Sequence, residues 1–231
     1  MLAAAACALP LVACAGLTER LRESERNAAA ANARKLVARR DCAAALPALE
    51  RAQAARELGA FEAESSWLKL RCLEALGRTQ EALAHQRLLS DFHPDFAPIA
   101  AQGRAALASG EAPAAPLPLA PAPALRALAI PRARFTPDAE RSRVVGEVVV
   151  RFRVERGGRV EGIRVLETPH PLLASWAIEA IANASLQSDA AEESLPAEGA
   201  LRFHFQHRWQ APDADETRDG IEWLPPPRDP D

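Results

Sequence analysis

The chain has 231 residues, 48% hydrophobic and 26% charged, with a formal net charge of −3. That length suits one or two packed domains, and the apolar content is too high for a wholly disordered chain. The slightly acidic balance and an aromatic content of 5%, with no tyrosine, argue against a general nucleic-acid binder, which needs a basic face or a stacking platform.

Residues 1–17 read MLAAAACALPLVACAGL and carry no charged side chain. The stretch is too short, and too interrupted by Pro10, to span about 30 Å of hydrocarbon, and no other apolar run reaches a membrane-spanning length. It reads as the apolar region of a secretory signal. The basic segment that ordinarily precedes such a region is missing, so the true start is expected upstream of Met1. Leu11-Val12-Ala13-Cys14 resembles the bacterial lipoprotein processing motif. That resemblance implies cleavage before Cys14, a diacylglycerol on its sulfur, and attachment to a membrane in a leaflet the motif does not specify. A plain cleaved signal with an incidental cysteine is the alternative.

Residues 18–109 carry a helical pattern, with little glycine and apolar positions recurring at three and four. Trp67, Leu70, Leu73 and Leu76 form one predicted stripe. Gly77 breaks it, and Ala82, Leu83, Gln86 and Leu89 form the next, which His93-Pro94 ends. The run Leu70, Leu73, Gly77-Arg78-Thr79-Gln80-Glu81-Ala82-Leu83 and Pro94 resembles a tetratricopeptide repeat. An upstream copy lies at Arg40-Asp41-Cys42-Ala43-Ala44-Ala45-Leu46, spaced 37 residues away from Ala45-Leu46 to Ala82-Leu83. The family period is about 34, which implies a short insertion near Leu58-Gly59-Ala60. An ordinary helical hairpin bundle is the alternative; either is a packing and docking surface.

Cys42 and Cys72 are the cysteines outside the export segment. Their spacing fits no zinc pattern. Antiparallel helices folded near Gly59 bring them within about a turn of one another. They are a candidate disulfide in an oxidising compartment, with two buried free thiols as the alternative.

Residues 110–130 hold Pro113, Pro116, Pro118, Pro121 and Pro123 and are predicted to be a semi-rigid, extended linker. From 131 to 209 the period changes. Val148, Val150, Phe152 and Val154 alternate with charged residues as a half-buried strand. Gly157-Gly158 makes a tight hairpin. The apolar parity flips between Val160 and Ile163, which predicts a bulge near Gly162. Pro171 opens a helix with Leu173, Trp176, Ala177, Ala180, Ile181 and Ala184 on one face. Leu201, Phe203, Phe205 and His207 then alternate as a last strand. The expected fold class is thus α followed by α+β: helical hairpins linked to a small ββαβ sheet domain.

This stretch resembles the C-terminal domain of TonB, the energy transducer of Gram-negative outer-membrane transport. The residues that carry the resemblance are Gly146-Glu147-Val148-Val149-Val150-Arg151-Phe152-Arg153-Val154, Gly158-Arg159-Val160, Val165-Leu166-Glu167-Thr168 and Leu172-Leu173. Two features depart from the family. Ala184-Ser185-Leu186-Gln187 stands where a Trp-x-Phe-x-Pro stretch is usual, and residues 1–17 lack the histidine of a proton-coupled membrane helix. The resemblance implies an exposed sheet border that captures an extended peptide, such as a segment of an outer-membrane receptor, by strand addition. Carried over, that border is Arg202, Phe203, His204, Phe205, Gln206, His207 and Arg208.

Residues 210–231 hold seven acidic residues, two arginines and five prolines and are expected to form a solvated tail. The five histidines are scattered, and no nucleophile–base, paired-carboxylate or metal-ligand spacing recurs. No cofactor, small-molecule substrate or nucleic acid is therefore expected. Arg151, Arg153, Arg156, Arg159 and Arg164 make either a solvated strand face or a site for an acidic partner or lipid head group. The reading is a non-catalytic, periplasmic, lipid-anchored protein-binding module. The alternative is a divergent TonB-type energy transducer.

Overall fold

The computed structural model describes residues 8–109, 124–187, 193, 195–206 and 220–224, with backbone alone for 8–19, 104 and 106–109. Five helices come first: α1 (Ala8–Ala38), α2 (Cys42–Gln53), α3 (Phe61–Ala75), α4 (Thr79–Phe92) and α5 (Ala97–Ser109). They form consecutive hairpins, α1 on α2 and α3 on α4, with α2 against α3.

The two hairpins share one turn. Arg40 closes α1 at φ +62° and Gly77 closes α3 at φ +72°. Asp41 N–H then donates to the Leu36 carbonyl at 3.0 Å, and Arg78 N–H to the Leu73 carbonyl at 2.9 Å. Each pair of positions is 37 residues apart, the spacing read from the sequence. This left-handed stop satisfies carbonyls that the last helical turn leaves unpaired. Asp41 also caps α2, its carboxylate accepting from Ala44 N–H at 3.3 Å.

The predicted stripes are only partly the buried ones. Leu70, Leu73, Ala82 and Leu89 are buried, whereas Leu76 is 43% and Leu83 38% exposed. The reason is that α4 has two neighbours. Ala82 and Leu89 face α3, while Ala84 and Leu88 join the core of the sheet domain. The buried arc is therefore turned toward Glu81, His85 and Leu88 and away from Leu83.

The second region is α+β. A 3-10 turn (Ala124–Ala127) leads into β1 (Leu128–Ala129), α6 (Pro137–Arg141), β2 (Gly146–Val154), β3 (Val160–Glu167), α7 (Pro171–Ala182), β4 (Ser185–Leu186), β5 (Ala197–Phe205) and β6 (Ile221–Trp223). The main sheet is antiparallel in the order β3-β2-β5-β6, and β1 pairs separately with β4. The β2–β3 hairpin turns at Gly157 (φ +89°) and Gly158 (φ +72°). The expected bulge is present. Arg151 pairs with Arg164 and Arg153 with Glu161, so Phe152 alone on β2 opposes Gly162 and Ile163 on β3, and Gly162 takes φ +66°. A second irregularity skips Leu166, which is exposed.

Helix α7 covers the apolar face of β2 and β3 and stops at Ala182, before the predicted Ala184. Its expected face, with Leu173, Trp176, Ala177, Ala180 and Ile181, is buried. So are Ala174, Ser175 and Ile178 on the opposite side, because α2 and α4 lie over it. The helix begins at Pro171, and the His170 ring caps it by accepting from Leu172 N–H at 3.1 Å. The same ring reaches the Ala55 carbonyl at 2.9 Å.

Both flanking segments differ from expectation. The last residues of the predicted linker are folded, with Leu125 and Leu128 in the core. The predicted tail contributes β6. Gly199 explains why both are drawn in: a Cβ there would meet Leu125 Cδ1 at 2.7 Å and Trp223 Cζ3 at 3.1 Å. The missing side chain leaves room that one apolar residue from each flank fills. Gly199→Val is expected to cost about 1–3 kcal/mol through overpacking, read as a lower urea midpoint at unchanged slope.

Candidate functional site

Strand β5 is the strand to which sequence reasoning assigned the partner border. Its inward residues, Leu201, Phe203 and Phe205, are buried, and Phe203 and Phe205 stack at 6.4 Å between ring centroids. Its outward residues are polar. Arg202 lies 3.3 Å from Glu147 and 3.4 Å from Glu222, and the His204 ring lies 3.2 Å from Glu147. Gln206 is exposed. His207 and Arg208 lie outside the described residues.

The border is not free along its length, contrary to the sequence expectation. Strand β6 pairs Leu201 with Trp223, Arg202 with Glu222 and Phe203 with Ile221, and the Ala200 carbonyl accepts from Leu224 N–H at 3.0 Å. Tail residues thus satisfy the backbone groups that a partner would meet. The opposite border, β3, has α4 alongside it. Arg87 donates to the Ile163 carbonyl at 3.1 Å, and Arg164 forks onto Asp91 with both contacts at 2.8 Å.

Of the predicted basic face, Arg151 pairs with Glu198, Arg153 with Glu155, and Arg164 with Asp91, while Arg156 donates to the Leu195 carbonyl. These arginines are held by the chain's own acceptors, the arrangement of a solvated strand face.

Residues 131–206 match the family model described as Gram-negative bacterial TonB protein C-terminal. The match runs from just before α6 to the end of β5, so the antiparallel TonB-like sheet domain is the unit the sequence indicated. Strand β6 and the five N-terminal helices lie outside the matched stretch. No curated protein and no solved structure matches the chain.

Where the helices meet the TonB-like domain there is a polar cavity of about 270 Å³, which sequence reasoning missed. Glu50 of α2 lies 3.5 Å from Lys69 of α3 and 2.9 Å from Arg134. Arg134 also reaches Glu179 of α7 at 2.5 Å. Arg78 forks onto Glu81 at 2.7 and 2.6 Å and meets Glu179 at 3.4 Å. His85 of α4 shares a hydrogen bond of 3.0 Å with Ser175 of α7. These residues span more than a hundred positions of sequence, so no local spacing could have marked them.

Burial governs their protonation. It lowers the proton affinity of Lys69 and raises that of Glu81, even with Arg78 clasping the carboxylate. His85 is held well below the ordinary histidine value by burial and by the charges of Lys69 and Arg78, and His170 is lowered mainly by burial. Protons therefore bind these two histidines more readily in the unfolded chain. Their contribution to stability is complete above pH 6.5 and is lost as pH falls below it; Glu81 has the opposite sign. Stability is expected to fall from pH 7.5 to 5.5, with a slope of at most about 1.4 kcal/mol per pH unit per histidine. His85→Gln should flatten the urea-midpoint profile.

Proposed function

We propose that this protein is a periplasmic, lipid-anchored protein-binding module whose TonB-like sheet takes an extended partner segment as an added strand along β5. The family match carries the reading: proteins of the TonB family are periplasmic, membrane-associated and act through contacts with other proteins, outer-membrane receptors among them. The anchor is Cys14, and the binding border is Arg202 to Arg208, with β6 in the place the partner takes.

The energetics of exchange support this arrangement. Strand β6 pairs through three residues, and each backbone hydrogen bond contributes a net of only about 0.5–1.5 kcal/mol. Trp223, half-buried with its ring 6.1 Å from Phe152, adds roughly another 1.5–3 kcal/mol of apolar burial. A longer incoming strand replaces the first contribution in full. It replaces the second only if it carries an apolar residue opposite Leu201, over the space left by Gly199. Arg202, His204 and Gln206 are the outward side chains that tune selectivity.

A second reading, energy transduction to an outer-membrane receptor, rests on the same match. It requires coupling through the inner membrane.

Crosslinking pull-down tests the border. His204→Pro is expected to abolish partner capture by removing an outward N–H from β5. Trp223→Ala is expected to strengthen capture about tenfold or more by weakening the competing strand. Equal capture by all three proteins would rule out strand addition at β5. Palmitate labelling tests the anchor: label on the parent chain, lost with release from the membrane fraction in Cys14→Ala, is the expected result.

A further inference from the structure

Cys42 is the first residue of α2 and Cys72 lies near the end of the antiparallel α3. Both thiols are free, at 6% and 0% exposure. They sit with Ala45 in one apolar cluster, under Leu36, Val37 and Leu46. The two cysteines are thus neighbours in one buried cluster. No group of three or more metal-ligating side chains occurs among the described residues, so the pair is not part of a larger ligand set there. Two thiols packed in one cluster from neighbouring helical hairpins have the adjacency that a disulfide requires.

We propose that Cys42 and Cys72 are a redox pair that closes to a disulfide and fastens the first helical hairpin to the second. The inference rests on the periplasmic reading for its oxidising surroundings, and its chemistry needs only a disulfide oxidant such as glutathione disulfide. Cys42, the less buried of the two at 6% exposure, attacks first. Its thiolate bonds to one glutathione sulfur, the glutathione S–S bond breaks, and one glutathione thiolate leaves. Cys72 then loses its proton and attacks the Cys42 sulfur, expelling the second glutathione thiolate. Two protein thiols become one disulfide, and the two electrons reside on two glutathione thiols.

The second step is the slow one. Burial is the main cause that pushes the Cys72 thiol up, to about 12 in the reduced pair, and it still acts once Cys42 carries glutathione, so the thiolate is scarce at neutral pH. The closing rate should therefore rise about tenfold per pH unit between 7 and 9, with the Cys42–glutathione adduct accumulating at the lower end. Closure fixes α2 against α3 beside the junction, where Lys69, one turn before Cys72, meets Glu50.

The test uses the reduced full chain, incubated with glutathione disulfide, acid-quenched and mapped by mass spectrometry without reduction. A peptide linking Cys42 to Cys72 is expected, together with a thermal midpoint raised by roughly 5–10 °C. In Cys72→Ser the glutathione adduct should persist on Cys42. Folded protein that retains both thiols, or that stops at the adduct at every pH, overturns the proposal. A second arm alkylates the protein at cell lysis. A bond that forms in vitro but is absent from cells counts against the periplasmic reading and leaves the pairing intact.

Discussion

The structure depends on helix α7 being buried on both sides. One face rests on β2 and β3, as the helix of a small α+β domain must. The other, with Ala174, Ser175 and Ile178, lies under α2 and α4. Trp176 is wholly inside, edge-on to Phe135 at 6.2 Å between centroids. A helix whose surface is apolar apart from Ser175 and Glu179 is driven to bury both faces in water. The hairpins and the TonB-like domain are thus parts of one packed assembly, joined by more than the proline-rich segment between them.

That burial explains the charges at the junction. The outer side of α7 carries Ser175 and Glu179, and the surfaces above it carry Glu50, Lys69, Arg78, Glu81 and His85. Burying such groups costs free energy unless each finds a partner. The chain meets this with alternating signs, Arg134 bridging Glu50 and Glu179 while Arg78 bridges Glu81 and Glu179. A network of this kind contributes little net stability over apolar packing, but a shift of one helical turn would strand several charges. Its value is in fixing one docking geometry.

The same economy governs the sheet. An open border is a hazard for any chain with unpaired N–H and C=O groups. Here α4 lies beside β3, and β6 closes part of β5. The two closures differ in kind. The α4 side is held by a buried helix face and the paired Arg164–Asp91 fork, whereas β6 is a three-residue strand held by the half-buried Ile221 and Trp223. Of the two borders, β5 is the one a competing strand can open at modest cost.

The sequence by itself determined the elements whose cause is local. The alternation of Val148 to Val154, the positive-φ glycines 157 and 158, the bulge at Gly162, the proline start of α7 and the 37-residue recurrence of the hairpin turn each follow from backbone sterics or side-chain period. The adjacency of Cys42 and Cys72 followed from antiparallel helix geometry alone. What only the tertiary structure decided is which second face of each element is covered. Leu83 lies outside while Glu81 and His85 lie inside, because α4 packs on two partners. Leu125 and Trp223, in short apolar stretches beside proline-rich and acidic surroundings, fold in because Gly199 leaves a space far away in sequence. Part of the β5 border is closed for the same reason: its occupant, Ile221–Trp223, alternates over only three residues, too few to mark a strand, and burial against a distant surface, which no periodicity encodes, holds it there.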